Sequence, residues 1–151
     1  PGTEFSILAS KSLEQVLDAA RSGVTTIGSN LPATWARLHK ALALDLASSP
    51  ALLPDTNVSL DEDGCIDLSM VKYFRDTAPI LPGCSCPACQ DNRYSRAYIH
   101  HLIKAKELLA SILLFGHNLH QMLLLTKKMS VAGNDLSSLC GRIDKQINLN
   151  N

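Results

Sequence analysis

The stretch Cys84-Ser85-Cys86-Pro87-Ala88-Cys89 constrains this chain more than any other. Three thiols fall within six residues, and Pro82, Gly83 and Pro87 shape the turn around them. Three soft anionic ligands and one imidazole satisfy a tetrahedral zinc ion. So tight a loop cannot close the tetrahedron alone, which calls for a fourth donor from elsewhere. The apolar stretch that follows carries His100, His101, His117 and His120, the natural candidates. Two blander readings compete. Free cysteines are small and often buried, so the three thiols could simply pack in a core. A disulfide within the loop is disfavoured, because Cys84 and Cys86 are too close for relaxed bridge geometry.

The remaining cysteines are Cys65 and Cys140. An odd total, with three thiols claimed by the loop, reads as two free thiols in a reducing compartment. The 151 residues are 46% hydrophobic, enough for a core. Lys and Arg balance Asp and Glu, so net charge offers no sign of a nucleic-acid surface. Residues 102–125 are apolar enough to raise the question of a membrane span. Lys104, Lys106, Glu107, His117, Asn118, His120 and Gln121 interrupt that region and favour a packed helix.

Along the chain, Pro1–Phe5 read as a cloning remnant, since Gly-Thr and Glu-Phe are what two common restriction sites encode. Residues 6–9 form a short apolar run and predict a strand. Ser12 to Gln15 has the form of a capping box, opening a helix with Leu13, Val16, Leu17 and Ala20 on one face. Gly23 closes that helix, and residues 24–27 predict a second strand. Strand, helix and strand over so short a span make a βαβ unit with parallel strands. Parallel sheets carry their chemistry at the carboxyl ends of strands, here residues 9–11 and 28–31.

Residues 35–46 are ambiguous between helix and strand, with the second half read as strand. Residues 48–57 read as loop. The acidic turn at residues 60–64 lacks the spacing of a calcium loop and reads as solvated. Residues 65–70 predict a short strand, and 70–74 a helical turn. Residues 96–126 predict a long helix broken near Gly116. Asn134-Asp135 precede a last helix ending near Ile147.

Cys84-x-Cys86-x2-Cys89, the block Ser95-Arg96-Ala97-Tyr98-Ile99-His100-His101-Leu102, and His117-Asn118-Leu119-His120 together resemble the zinc region of tRNA-guanine transglycosylases. The resemblance runs from about Ser6 to Gln121 and is weak after Met122. Those enzymes exchange an anticodon guanine for queuine or its precursor. Their fold is a (β/α)8 barrel with a zinc subdomain near the C-terminus. A full barrel takes roughly 250 residues, so the resemblance implies the C-terminal part of an α/β (β/α)8 barrel with an inserted zinc-binding helical subdomain. The implied division is 6–80 for barrel elements, 81–126 for the zinc subdomain and 127–151 for a terminal helix and tail.

The family's zinc ligands correspond to Cys84, Cys86, Cys89 and His117. An insertion between Cys89 and Ser95 lengthens the gap to the histidine. His120, one turn on, is the alternative fourth ligand, and spacing does not decide between them. His100 and His101 would lie about 24 Å from His117 along a straight helix, so at most one end of that helix can reach the metal.

The catalytic pattern is not kept. In catalytic members the second strand runs into Asp-x-Phe-Asp-Cys and then Pro-Thr-Arg, and the second Asp attacks the ribose. Here Thr25 stands for the first Asp, Gly28 for the nucleophile and Ser29 for the Cys, while Ala33-Thr34 replace Thr-Arg. Glycine has no side chain with which to attack. The upstream Gly-Val-Gly reads Ala9-Ser10-Lys11.

The resemblance therefore leads to the family's eukaryotic non-catalytic subunit, which pairs with a catalytic chain in a heterodimer. Family members dimerise through the zinc subdomain, and the matching positions are Tyr98, His101 and Leu113. Plain core packing is the competing reading for Tyr98 and His101. Implied with it are one structural zinc ion, tRNA bound through the complex, and a cytoplasmic location that extends to the mitochondrial outer surface. Lys104, Lys106, Lys127 and Lys128 could touch phosphate or simply be solvated. Alone, such a piece would expose strand edges and self-associate. Two other functions fit less of the sequence. One is an active transglycosylase with a displaced nucleophile such as Asp45. The other is a stand-alone zinc-stabilised module that binds nucleic acid or protein.

Overall fold

In the computed structural model, residues 6–24, 26–46 and 58–148 are described. The expected loop at 48–57, the first five residues and Thr25 lie outside them.

The chain opens as a βαβ unit. Strand β1 (Ser6–Ser10) and strand β2 (Thr26–Ser29) pair in parallel, with Ser6 opposite Thr26 and Ser10 opposite Ser29. Between them, helix α1 (Leu13–Arg21) starts where Ser12 accepts a hydrogen bond from the Gln15 amide at 3.3 Å. Gln15 in turn accepts from the Lys11 amide at 2.8 Å. At the other end, Gly23 takes φ +77°, and the amides of Gly23 and Val24 bond the Ala20 and Ala19 carbonyls. These paired bonds satisfy carbonyls that a helix end leaves open. Leu13, Val16, Leu17 and Ala19 are buried. The second strand lies later than the expected 24–27, because the helix-ending turn consumes Gly23 and Val24.

Helix α2 (Leu31–Arg37) follows at once, with Pro32 in its first turn where no amide is needed. The ambiguous stretch therefore resolves as helix through Arg37, then strand β3 (Lys40–Leu42). Residues 43–46 continue as buried irregular chain. Strand β3 pairs antiparallel with β4 (Cys65–Asp67), Lys40 opposite Asp67 and Leu42 opposite Cys65. Residues 71–73 form a single 3-10 turn.

The acidic turn is not merely solvated. Asp61 accepts from the amides of Asp63 (3.0 Å) and Cys65 (2.8 Å), and pairs with Lys40 at 2.7 Å. Asp63 accepts from the Leu13 amide at 2.9 Å and from the Trp35 indole at 3.2 Å. One carboxylate thus joins the start of α1 to α2. A carboxylate at a helix N-terminus is also favoured by the helix dipole.

The expected single long helix is two. Helix α3 (Arg96–Lys104) is capped by Ser95, and helix α4 runs Leu108–Ala132. The break falls at Lys106, which takes φ +57°, with its amide on the Ile103 carbonyl and that of Glu107 on Leu102. Gly116 lies within α4, which passes through it without interruption. A 3-10 turn at Gly133–Asp135 leads into α5 (Leu136–Asn148).

Helix α4 supplies the centre of the molecule. Leu114 and Leu125 are fully buried on its inner side, together with His117, Asn118 and Gln121. Its outer side exposes Leu108, Ile112, Phe115, Leu119 and Leu123. The span Leu108–Asn148 is long and apolar enough to cross a membrane by length and composition alone. The polar inner side of α4 instead faces protein. The architecture is mixed helix and strand, with two two-stranded sheets among the described residues.

Candidate metal centre

Two segments build the site. The first is the Cys loop, which begins with the Cys84 amide on the Leu81 carbonyl and turns again where the amides of Cys89 and Gln90 both bond the Cys86 carbonyl. These bonds point three sulfurs to one side. The second is α4, which presents His117 from its buried face.

The Sγ atoms of Cys84, Cys86 and Cys89 and a ring nitrogen of His117 all lie within 4.8 Å of one another. Nδ1 of His117 stands 3.8, 3.3 and 3.4 Å from the three sulfurs. One N–H can serve only one good acceptor, so hydrogen bonding does not account for three sulfurs around one nitrogen. A tetrahedral ion does. Standard Zn–S and Zn–N lengths give an S···N edge of about 3.6 Å, and the three distances straddle it. All five cysteines of the chain are free thiols.

The surroundings suit a metal. Nε2 of His117 is 2.8 Å from the Leu42 carbonyl, which can only accept, so Nε2 carries the proton and Nδ1 offers its lone pair inward. Cys84 Sγ accepts from the Gln121 side chain at 3.0 Å and from the Cys86 amide at 3.4 Å. Such donors disperse thiolate charge. Without an ion, hydrogen bonds from Cys86 and Cys89 hold the Cys84 thiol far below its ordinary pKa, against the effect of burial. Hydrogen bonding to Cys84 and Cys86 pushes Cys89 up. For His117, burial alone would lower the pKa, but the contacts with Cys84 and Cys86 leave it raised, at about 9. Metal binding by such a cluster would release the thiol protons, which couples affinity to pH.

The other histidines stand apart. His120 lies with Nε2 3.3 Å from the Ser85 hydroxyl, at the surface. His100 is buried, its Nδ1 2.8 Å from the Leu68 carbonyl and its ring edge-on to Phe74. Four protein donors fill a tetrahedron, so an ion held here would be structural and would have no place for a reacting water.

Of the expected interface residues, Tyr98 is 42% exposed and stacks on Tyr94, with centroids 5.7 Å apart. His101 is exposed, and Leu113 is half-buried against the core. Core packing therefore does not describe Tyr98 or His101. Gly28 sits half-buried in β2, and the Ser29 hydroxyl accepts from the Leu31 amide at 3.2 Å. Asp45 lies beyond β3, its amide bonded to the Gln146 side chain at 2.9 Å.

Two contributors escaped the sequence reading. Gln121 is one turn from His117 on the same helix face, and that spacing could have found it. The Leu42 carbonyl has no side-chain signature at all.

A second buried cluster holds the loop in place. The Arg96 guanidinium donates to the Ile80 carbonyl at 3.3 and 3.1 Å and to Asp76 at 3.0 Å, and it lies over the Tyr73 ring. Together with the Arg96 amide on Ala78 at 2.8 Å, these bonds tie the approach to the Cys loop onto α3.

Comparison with known proteins agrees with this arrangement. Residues 7–141 match the family model described as TGT: Queuine tRNA-ribosyltransferase. A queuine tRNA-ribosyltransferase of Lachnospira eligens is 56% identical over 57 residues, 38% of this chain and 15% of that protein. One from Jannaschia sp. is 37% identical over 81 residues, 52% of this chain and 21% of its own length. A queuine tRNA-ribosyltransferase accessory subunit 2 of Anopheles gambiae is 47% identical over 55 residues, 36% of this chain and 12% of that protein. The chain thus spans about a fifth or less of the length of these relatives. Because the family match takes in nearly the whole chain, from β1 through the cysteine–histidine group into α5, the chain belongs to the queuine tRNA-ribosyltransferase family.

Proposed function

We propose that this chain is part of a non-catalytic accessory subunit of a queuine-inserting tRNA-guanine transglycosylase. The observation that carries the reading is Gly28. It occupies the end of β2, where the family resemblance puts the attacking carboxylate, and it has no side chain. Its neighbour Ser29 spends its hydroxyl on the turn into α2. At the end of the paired strand, Ala9 and Lys11 stand where the resemblance expects the two glycines. The likeness to an accessory subunit 2 supports the same reading.

In this account β1, α1, β2 and α2 are late elements of a (β/α)8 barrel. Cys84, Cys86, Cys89 and His117 hold one zinc ion, whose chemistry is to neutralise thiolate charge and cross-link the loop to α4. The outer side of α4, with Tyr98 and His101 on α3, faces the catalytic subunit. Exposed Leu108, Ile112, Phe115, Leu119 and Leu123 form a stripe about 22 Å long, the kind of surface that monomers seldom leave open. tRNA is bound by the pair, in the cytoplasm and at the mitochondrial outer surface. Alone, the chain self-associates through the same stripe, and a monodisperse monomer by light scattering would count against that.

The test is reconstitution. The chain is co-expressed with a catalytic queuine tRNA-ribosyltransferase subunit and assayed for guanine exchange in tRNA. The reading predicts co-purification and exchange by the pair, with no exchange by the chain alone. Exchange by the chain alone, or failure to pair, overturns it.

A further inference from the structure

His117 and Asn118 are adjacent on α4, and both reach the same residue of β3. His117 Nε2 donates to the Leu42 carbonyl at 2.8 Å, and Asn118 Oδ1 accepts from the Leu42 amide at 2.8 Å. Asn118 Nδ2 donates to the Lys40 carbonyl at 3.0 Å and to the Pro32 carbonyl at 3.4 Å. The centre of this contact is buried: His117, Asn118 and Leu42 are each 0% exposed.

The placement has a structural reason. Ala43 bonds the Gly64 carbonyl, on the side of β4. Alternation along a strand then turns the polar groups of Leu42 the other way, toward α4. The two side chains therefore cap the open edge of β3, where unpaired backbone groups would be costly. Through Pro32 the contact extends into α2, directly after Gly28 and Ser29 at the strand end.

We propose that the His117–Asn118 pair is a clamp that makes the β3–α2 segment respond to metal occupancy, with Asn118 as its positioning residue. The proposal rests on the zinc reading of the cysteine–histidine group. The imidazole is a rigid plate with one nitrogen on the metal side and the other on Leu42. Fixing Nδ1 fixes Nε2, and so the strand edge. Asn118 holds the amide of the same residue, on the preceding peptide unit, and stops the strand from sliding away. Linkage makes the effect reciprocal: whatever the ion does for the clamp, the clamp does for affinity. The strand-end surface beside Gly28 is thereby set by an ion that never touches it.

Trp35 reports on this directly. It is the only tryptophan, it lies in α2, and it is 2% exposed. Zinc titration of the purified chain is followed by Trp35 emission and by metal content. In the wild type, zinc uptake should shift the emission. Asn118→Ala should bind zinc at least about tenfold more weakly, the scale for losing a group that orients a metal ligand, and its Trp35 emission should respond less. An Asn118 with only a packing role would leave zinc affinity unchanged, and that result overturns the clamp. His117→Cys keeps four ligands but has no ring to reach Leu42, so it should take up zinc with no Trp35 response. A full response there also overturns the proposal. If Asn118→Ala does not fold, hydrogen exchange at the wild-type Leu42 amide decides, and equal protection with and without zinc refutes it. Failure of the wild type to take up zinc would instead sink the metal reading itself.

Discussion

Replacing Arg96 by Met keeps most of the buried stem and removes the guanidinium. The side chain is 2% exposed, and its partners do not all have water to turn to. The Asp76 carboxylate, 24% exposed, keeps its bond from the Ala78 amide at 2.9 Å. The Ile80 carbonyl loses both of its side-chain donors. Removing one partner of a buried ion pair costs about 3–5 kcal/mol. Partial exposure of Asp76 puts the expected loss near the lower end, roughly 3 kcal/mol. For a chain of this size that is a fall in Tm of about 6–12 °C. Because Ile80 leads into the turn that starts the Cys loop, zinc affinity should fall as well, by about tenfold. Urea unfolding followed by Trp35 emission, with zinc and with chelator, measures both effects. Arg96→Lys keeps the charge but cannot serve Asp76 and Ile80 together, so it should recover only part of the loss. If Arg96→Met unfolds within about 1 kcal/mol of the wild type with unchanged zinc affinity, the clamp on the loop carries no weight and the argument fails.

Two further perturbations follow from the same geometry. Lys106 takes φ +57° at the exposed end of α3, where a β-carbon is unfavourable, so Lys106→Gly should stabilise by about 1 kcal/mol in chemical denaturation. Stability should also fall in alkali. Burial raises the Cys65 thiol well above its ordinary value and raises Tyr73 too, while the bond to Asp61 raises Lys40. Each folded-state pKa lies above the unfolded one. Their contribution is complete below the unfolded values, the lowest being Cys65 at about 8.5, and is lost as pH rises through the folded values. Urea midpoints measured from pH 8 to 11 should decline, and Cys65→Ala should shrink the early part of that decline.

Much of this molecule is legible in its residues, for local reasons. The cap at Ser12, the glycine at Gly23 and the strands on either side specify the βαβ unit by short-range bonding alone. The cysteine spacing with its prolines marks the loop. What was hidden depends on distant or backbone partners. The break before α4 lies at a lysine, and left-handed geometry at a non-glycine residue leaves no mark in the sequence. Asp61 and Asp63 look like solvated charge until α1, α2 and β3 fold around them. The choice between His117 and His120 turns on which face of α4 meets the loop. His117 shares its face with Leu114 and Gln121, whereas His120 emerges beside Ser85. Helix α4 is apolar on both sides, so periodicity alone could not say which side was core.

The most direct test of the account is the metal content of the purified chain and of two variants. Elemental analysis should find one zinc ion per chain in the wild type and in His120→Ala, and little or none in His117→Ala. Full zinc in His117→Ala, or none in the wild type, would contradict the assignment of Cys84, Cys86, Cys89 and His117 as the metal centre.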